Sequence, residues 1–406
     1  MRCGLLGEKL GHSYSPALHA LFGDYDYELF EVSPDRLGDF LRVRDFQGLN
    51  VTIPYKTTML AICDDLTETA ATIGSVNTVL KQLDGSLLGD NTDAAGFEGM
   101  VWKSRIRILG RKCLVLGSGG ASLSAQYVLR KLGAGEVVVI SRTGENNYDN
   151  LDRHQDAAVI VNATPVGMYP NTAASPVDLR QFPHCEGVLD LIYNPARTAL
   201  LLQAEDLGIP CSGGLSMLAA QAAASAALFL GEAMDISKIS QVEGVLRRQT
   251  ENLILIGMPG SGKTTLARLL GAATGRPVWD SDEEIVRRTG LSIQDVFDRW
   301  GEKKFRALET EVLADLGRHW GGILATGGGC VTRPENRRLL RQNGKVIWLQ
   351  RDICRLEAPG RPLLRESDLS ELYRQRCALY EHFSDEAILN NGAPEDALRR
   401  LKECMV

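Results

Sequence analysis

Two glycine-rich loops, each placed between a run of apolar residues and a helical pattern, constrain the fold of this chain most strongly. The first lies in KCLVLGSGGAS (Lys112 to Ser122) and the second in NLILIGMPGSGKTT (Asn252 to Thr265). A buried strand, a tight glycine turn and a helix, in that order, are typical of nucleotide-binding α/β folds. Because the loops differ in pattern and lie far apart, we predict an α/β protein with two separate nucleotide-binding regions.

The composition is that of a globular protein and argues against two classes of partner. Of 406 residues, 44% are hydrophobic and 24% are charged, and the formal net charge is -6. Nucleic-acid binding normally requires a basic surface, so no nucleic-acid partner is expected. The longest apolar stretch, Ser216 to Leu230, is too short and too alanine-rich to span a bilayer, and it is interpreted as a buried helix. We therefore expect no membrane association.

The N-terminal residues and the cysteines predict a cytoplasmic protein. Glu8 and Lys9 interrupt the apolar residues at the N-terminus, so a secretory signal is not expected. The nine cysteines are scattered singly, with neither a CxxC pair nor the spacing of zinc ligands. An odd, dispersed set of this kind indicates reduced thiols in a reducing compartment.

The order of strands and helices divides the chain further. Residues 1–94 alternate strands (MRCGLLG, GLNVTIP) with helices (Pro16 to Phe22, Thr57 to Ile62), and a helix within 212–233 is expected to complete this lobe. Residues 95–211 repeat strand and helix as a Rossmann-like domain does. The segment 234–251 is polar and is interpreted as a linker, and residues 252–406 form the domain with the second loop.

The first loop predicts a dinucleotide site. It is a variant of the G-x-G-x-x-G pattern, in which backbone N–H groups and the following helix bind a pyrophosphate. The residues concerned are Gly117, Ser118, Gly119, Gly120 and Ala121. The next strand is followed by Ser141, Arg142 and Thr143 rather than by an acidic residue. A guanidinium and hydroxyls suit a 2′-phosphate, so the sequence favours NADP over NAD.

Polar side chains recur in short motifs of the front lobe. These motifs are HSYSP, NVTIPYK, GSVNT and GDNTD, and a glutamine lies in the returning helix. Hydroxyls and amides suit a polyhydroxylated substrate, and a Lys–Asp pair suits proton transfer beside a hydride transfer. The candidate residues are Ser13, Ser15, Asn50, Thr52, Lys56, Asn77, Asp93 and Gln221.

In this order the motifs resemble those of the shikimate dehydrogenases, from the N-terminus to about Gly231. The resemblance implies that Ser13 and Ser15 hold the substrate carboxylate and that Lys56 and Asp93 are catalytic. It further implies contacts to substrate hydroxyls or the site edge from Thr52, Asn77, Gln221 and Tyr193, and contacts on the nicotinamide side from Asn162, Thr164, Gly214 and Met217. Ser141 stands where the family has Asn in its 2′-phosphate motif, and the first lobe is short. The implied reaction is reversible reduction of 3-dehydroshikimate by NADPH.

The second loop is a complete P-loop. Its backbone N–H groups cradle phosphate, Lys263 reaches the β/γ oxygens and Thr264 ligates Mg²⁺. The expected ATP contacts are Gly260, Ser261, Gly262, Lys263, Thr264 and Thr265. Candidates for the acceptor side follow in Asp280, Asp282, Arg306, Glu309, Gly327, Gly328, Gly329, Arg361 and Arg376. Arg351, Arg355 and Arg365 are interpreted as solvated surface charges.

From about Asn252 to the C-terminus this set resembles shikimate kinase. The resemblance implies that Asp282, Arg306, Gly328 and Arg376 hold shikimate. It places Asp280 near Mg²⁺ and makes Arg361 the lid arginine that faces the transferred phosphate, in a lid (residues 355–365) that is short. The implied fold is that of a P-loop nucleoside-monophosphate kinase with a parallel sheet. The implied reaction transfers phosphate from ATP to the shikimate 3-hydroxyl.

The sequence thus predicts a bifunctional enzyme of aromatic amino acid biosynthesis, acting on small molecules only. One alternative is an NAD-dependent quinate/shikimate dehydrogenase joined to a kinase for another hydroxy acid, which a cofactor titration would distinguish. Another is a ligand-sensing protein without activity. The candidate catalytic and binding residues are all present, which argues against it: Lys56, Asp93, Lys263, Asp282 and Arg306. Whether the chain is a monomer or a homodimer stays open.

Overall fold

A computed structural model describes residues 1–11, 13–356 and 366–405, the side chains of 366–368 excepted. The chain forms two compact units, Met1–Leu246 and Arg247–Val406. Each is an α/β unit built on parallel strands, which confirms the predicted fold class.

The first lobe of the N-terminal unit contains a mixed sheet of six strands. Its elements are β1 (Arg2–Gly7), α1 (Ser15–Phe22), β2 (Asp26–Glu31), α2 (Leu37–Val43), β3 (Gly48–Val51), β4 (Asp65–Leu66), α3 (Glu68–Ile73), β5 (Thr78–Lys81) and β6 (Leu87–Asp90). The strand order is β2-β1-β3-β5-β6-β4, with β5 antiparallel to both its neighbours. The helix predicted from Thr57 to Ile62 is instead a single 3₁₀ turn, Thr58–Ala61, which buries Met59 in the core of the lobe.

The second lobe is an all-parallel sheet reached through a long helix. Its elements are α4 (Thr92–Ser104), β7 (Lys112–Leu116), α5 (Gly120–Lys131), β8 (Glu136–Ile140), β9 (Val159–Asn162), β10 (Gly187–Asp190), α6 (Ala199–Asp206) and β11 (Cys211–Gly213). The order is β11-β10-β9-β7-β8. The strand connections therefore reverse direction between β7 and β9, and ligands of such sheets bind at that reversal.

Helix α7 (Leu215–Leu230) returns from the second lobe, as the apolar stretch predicted. It lies close against α4. The contact is at Gly96, where a β-carbon would come within 2.8 Å of the Met217 carbonyl oxygen and the Gln221 Cβ. This close approach brings the side chains of α7 beside the start of α4.

The segment predicted as a linker is helix α8 (Ile236–Thr250). Ile239, Val242 and Leu246, spaced three and four residues apart, pack against the side chains of α1 and α7. Lys103 of α4 also forms an ion pair with Glu243, whose side chain is buried. The segment is therefore helical over most of its length and packs on the N-terminal unit through a short apolar stripe.

The C-terminal unit has one all-parallel sheet of five strands. Its elements are β12 (Asn252–Ile256), α9 (Lys263–Thr274), β13 (Val278–Asp280), α10 (Ser281–Thr289), α11 (Ile293–Leu316), β14 (Ile323–Ala325), α12 (Pro334–Arg341), β15 (Gly344–Gln350), α13 (Glu366–Phe383), β16 (Glu386–Leu389) and α14 (Pro394–Glu403). The order is β13-β14-β12-β15-β16, so the connections reverse between β12 and β15.

All nine cysteines are unpaired. Among the described residues, no helix has both the length and the apolar character that a bilayer crossing requires.

Candidate active sites

The N-terminal unit contains a cavity of about 230 Å³ between its two lobes. All eight residues expected to contact the substrate line it: Ser13, Ser15, Thr52, Lys56, Asn77, Asp93, Tyr193 and Gln221. Ala121, Gly214 and Met217, expected on the cofactor side, line it as well. The cavity also has apolar walls that the sequence reasoning did not assign, from Leu5, Val51, Leu191 and Leu218.

A Lys–Asp pair lies in this cavity. The Lys56 Nζ donates to Asp93 Oδ2 at 2.5 Å, and Asp93 Oδ1 accepts a hydrogen bond from Asn77 Nδ2 at 2.8 Å. Asp93 lies in the first turn of α4, where the positive end of the helix dipole favours a carboxylate. Both Asp93 oxygens are therefore engaged, and the carboxylate fixes the position of the Lys56 ammonium.

A hydrogen-bond network supports the pair from behind. The Asn77 Oδ1 accepts from the Thr92 backbone N–H at 2.6 Å, and the Thr78 and Thr92 hydroxyls lie 2.9 Å apart. The network extends through Asn50, whose Nδ2 donates to the Thr78 hydroxyl and whose Oδ1 accepts from Tyr27. Since most of these groups are buried, the network holds the polar wall of the cavity in one arrangement.

The two serines line the same cavity, beside an aromatic contact. The Ser13 hydroxyl accepts a hydrogen bond from the Ser15 backbone N–H at 3.2 Å, at the start of α1. Tyr14, between them, meets Tyr193 of the second lobe edge to face, with ring centroids 5.4 Å apart. This contact joins the two lobes at the cavity.

The predicted dinucleotide loop lies at the carboxyl edge of the second sheet, where the connections reverse. Gly117 has a φ of +102°, which favours glycine, and a β-carbon there would lie 3.0 Å from the Ala163 carbonyl oxygen. No side chain caps the N-terminus of α5, so its N–H groups are open to a pyrophosphate. Arg142 and Thr143 are exposed just beyond β8. The residues present thus fit NADP.

The loop after β9 is shaped by a buried carboxylate. Asp190 accepts hydrogen bonds from Asn162 Nδ2, the Ile192 N–H and the Thr198 hydroxyl. Burial raises the pKa of Asp190 to about 6. The Asn162 Oδ1 in turn accepts from the backbone N–H and the hydroxyl of Thr164. Because Asn162 is fully buried and bonded on both side-chain atoms, it holds the loop that includes Thr164 in place.

The C-terminal unit has its P-loop at the carboxyl end of β12. The buried Lys263 Nζ donates to the carbonyl oxygens of Gly257 and Met258, at 2.9 Å each. The Thr264 hydroxyl donates to Asp280 Oδ2 at 2.6 Å. Mg²⁺ in such sites takes one or two protein oxygens, with phosphates and waters completing the set, so Thr264 and Asp280 fit this ion.

A glycine turn after β14 gathers the predicted acceptor residues. Arg376 Nη1 donates to the Gly328 carbonyl oxygen at 3.1 Å. The guanidinium of Arg306 packs on Gly329, where a β-carbon would collide with it. At Gly327, a β-carbon would lie 2.7 Å from Asp282 Oδ1. The side chains of Arg306 and Asp282 thus occupy the space beside the turn that a residue larger than glycine would fill, a packing that the sequence did not indicate.

Glu309 is the most deeply buried charged group of this site. It is 0% exposed, and its Oε2 accepts a hydrogen bond from Arg306 Nη1 at 2.8 Å. Burial raises its pKa to about 7, against the opposing effect of Arg306. Tyr380, not predicted as a site residue, also donates to the Gly328 carbonyl oxygen.

The predicted lid arginine, Arg361, lies outside the described residues, and so does Arg365, interpreted from sequence as a surface charge. Of the other expected ATP contacts, Gly260, Ser261, Gly262 and Thr265 lie in the P-loop or the first turn of α9. Arg351, interpreted from sequence as a solvated charge, is partly buried and lies next to the P-loop.

The two sites define a class of protein: a dinucleotide-dependent oxidoreductase with a cleft between two lobes, followed by a P-loop phosphotransferase. Comparison with known proteins agrees with this class. The family model "Shikimate dehydrogenase substrate binding domain" matches residues 5–79, and the model "Shikimate kinase" matches residues 259–405.

Relatives and solved structures match the N-terminal part. The chain is 35% identical over 255 residues to a shikimate dehydrogenase (NADP(+)) of Clostridium perfringens strain SM101, covering 58% of this chain and 94% of that relative. A crystal structure of a chorismate mutase/shikimate 5-dehydrogenase fusion from Clostridium acetobutylicum has 37% identity and a TM-score of 0.57, covering 60% of this chain and 96% of the other. Shikimate 5-dehydrogenase from Thermus thermophilus, in complex with NADP(H) and shikimate, has 35% identity and a TM-score of 0.55, covering 60% and 98%.

The chain belongs to the shikimate dehydrogenase family, and a shikimate kinase domain follows the dehydrogenase in the same polypeptide. Both resemblances predicted from the motifs are thereby confirmed. The protein is an oxidoreductase and a phosphotransferase.

Proposed function

We propose that this chain reduces 3-dehydroshikimate to shikimate with NADPH and then phosphorylates shikimate at its 3-hydroxyl with ATP and Mg²⁺. In this proposal, residues 1–94 and 212–233 bind the keto acid, 95–211 bind NADP(H), and 252–406 carry the kinase. The observation that carries the first half is the convergence of Lys56, Asp93 and the serines on one cavity beside the dinucleotide loop.

In the first reaction, Ser13 and Ser15 orient the substrate carboxylate, and Thr52, Asn77 and Gln221 contact its hydroxyls. NADPH supplies the hydride. Lys56 donates a proton to the developing alkoxide oxygen, while Asp93 holds the ammonium in place. The apolar wall, Leu5 and Leu218 included, excludes water from the reacting carbonyl.

In the second reaction, the chain acts by positioning and by neutralising charge. Arg306 and Arg376 bind the carboxylate of shikimate and Asp282 contacts its ring hydroxyls, all around the glycine turn at Gly328. Lys263 and the P-loop N–H groups bind the phosphates, and Thr264 and Asp280 are the protein groups that would hold Mg²⁺.

The product of the first site is the substrate of the second, which gives the two activities a chemical reason to share a chain. The unpaired cysteines support a reducing compartment, and we propose the cytoplasm. Ser141 in place of the family's Asn keeps an NAD-dependent reaction as the second candidate.

A coupled assay tests the proposal. Supplied with 3-dehydroshikimate, NADPH and Mg·ATP, the full chain should form shikimate 3-phosphate, and NADH should support the first step at a much lower rate. Lys263→Ala should accumulate shikimate, because only the second step is blocked. Equal rates with NADH would refute the cofactor assignment. Failure to bind either shikimate or 3-dehydroshikimate would refute the function as a whole.

A further inference from the structure

Arg351, at the carboxyl edge of the C-terminal sheet, is a charged group to which the proposed mechanism gives no role. Arg351 directly follows β15, and the P-loop directly follows β12. These two strands pair along their length, and the strand connections reverse between them. In open α/β sheets the ligand crevice lies outside the carboxyl ends of the two strands at the reversal, so Arg351 stands at that crevice.

The backbone around Arg351 is fixed from both sides. Before it, the Asn390 N–H donates to the Gln350 carbonyl oxygen at 2.7 Å. After it, the Asp352 N–H donates to Asn391 Oδ1 at 2.9 Å. Asn390 also donates from its side chain to the Ser261 carbonyl oxygen, at 2.8 Å. The ends of β15 and β16 are thereby tied to the P-loop, and the position of Arg351 relative to the loop is set.

The side chain of Arg351 lies against the loop itself. Its Nη1 is 3.8 Å from the position that a β-carbon would take on Gly262, the glycine that precedes Lys263. Within the residues that the structure describes, the Arg351 Nε is buried and has no hydrogen-bond partner. A buried donor without a partner is costly, and beside a phosphate-binding loop an anionic ligand would satisfy it.

We propose that Arg351 binds the nucleotide phosphates of the kinase site, as a second cation beside Lys263. Its planar guanidinium carries donors in a fixed fork that matches phosphate oxygens. The role is nucleotide binding and not recognition of the acceptor, because Arg351 follows β15 on the P-loop side while the acceptor residues surround the turn after β14. This inference rests on the proposed kinase function.

Kinetics of Arg351→Ala and Arg351→Lys in the full chain test the proposal. We expect the alanine variant to raise the KM for ATP about tenfold, because loss of one charged hydrogen bond weakens binding by about one order of magnitude. The KM for shikimate should change less than twofold. The lysine variant, which keeps the charge, should recover part of the loss. Arg399→Ala, which removes an exposed arginine of α14, is the matched control and should leave both KM values unchanged.

A binding measurement separates this role from a structural one. Mg·ADP and inorganic triphosphate should raise the Tm of the wild type and raise that of Arg351→Ala much less, with equal Tm values when no ligand is added. An unchanged ATP KM in the alanine variant would overturn the proposal, and so would a lower ligand-free Tm with both KM values raised. A wild type that binds Mg·ADP but does not phosphorylate shikimate would refute the kinase function while leaving the role of Arg351 to be decided by the binding data.

Discussion

The two sites differ in how they present polar groups to a ligand. In the N-terminal unit, one Lys–Asp pair is surrounded by hydroxyls and amides, which form a buried network from Asn77 to Tyr27. In the C-terminal unit the groups are mostly charged: Lys263, Arg306, Glu309, Arg376 and, by our proposal, Arg351. If both sites bind the same carboxylated ring, the first recognises it mainly with neutral hydroxyl and amide groups of the protein. The second recognises it mainly with charged side chains.

This contrast follows from the chemistry proposed for each site. A hydride transfer to a carbonyl needs one well-placed proton donor and little surrounding charge. A phosphoryl transfer brings several negatively charged phosphate oxygens into the site, so the site needs cationic side chains and Mg²⁺ to neutralise them. Loss of the Lys–Asp pair should therefore lower the rate in the first site, whereas loss of a substrate-binding arginine should weaken affinity in the second.

The largest effect should come from Lys56→Ala. Loss of the proton donor should lower the dehydrogenase kcat by about 10²- to 10⁴-fold, the usual range for a general acid. The kinase reaction of the same variant should be unaffected, since Lys56 belongs to the N-terminal unit. Steady-state assays of both reactions on one preparation measure this.

Lys131→Ala is a matched control for Lys56→Ala. Lys131 also pairs with a carboxylate of α4, Glu98, but both side chains are solvent-accessible and the pair lies outside the cavity. We expect wild-type turnover in the control. Wild-type turnover in Lys56→Ala as well would show that the Lys56–Asp93 pair is a structural ion pair. The first site would then have no identified proton donor to contrast with the cations of the second.

A smaller effect, on affinity, is expected from Arg306→Ala. Loss of a charged hydrogen bond to the carboxylate should raise the kinase KM for shikimate about 10- to 100-fold, and the ATP KM much less. The dehydrogenase KM for shikimate serves as an internal control, and Arg287→Ala, an exposed arginine of α10, as an external one. Equal increases in the two kinase KM values would argue against carboxylate binding.

Much of this arrangement could be predicted from the sequence, because the decisive signals are local. The strand before each glycine loop, the helix after it and the polar residues at strand ends all lie within short motifs. Parallel strands place their carboxyl ends at one edge, and Gly117 and Thr164 follow the paired strands β7 and β9 at that edge. The eight substrate-contact candidates line one cavity although the sheet of the first lobe is mixed, because the loops and helices that carry them meet there.

What the sequence left unpredicted depends on distant contacts. From the sequence alone, Arg351 is interpreted as a surface charge. In the structure, the pairing of β15 with β12 places it beside Gly262. Glu309 is fully buried in part by the glycine turn after β14, since a β-carbon on Gly327 would lie 2.5 Å from its Oε1. The helical stripe of α8 was visible in principle, since Ile239, Val242 and Leu246 are correctly spaced, but it is narrow and set among polar residues.

The smallest effect sharpens the comparison through pH. The pKa of Glu309 is raised by burial to about 7, from an ordinary value of 4.5. Between these values the folded state holds a proton that the unfolded state has released, so stability must fall as pH rises through this window. Glu309→Gln cannot titrate, and the C-terminal unit should then lose less Tm between pH 5.5 and 8 than the wild type does, by a few degrees.

Thermal unfolding of the full chain measures this difference, with the C-terminal transition identified as the one that Mg·ADP shifts. Glu311→Gln, which changes an exposed carboxylate on the same helix, should keep the wild-type pH dependence. If Glu309→Gln kept it too, the buried carboxylate would not be the titrating group. The charged character of the second site would then carry no cost in stability near neutral pH, and the contrast with the largely neutral first site would be one of ligand chemistry alone.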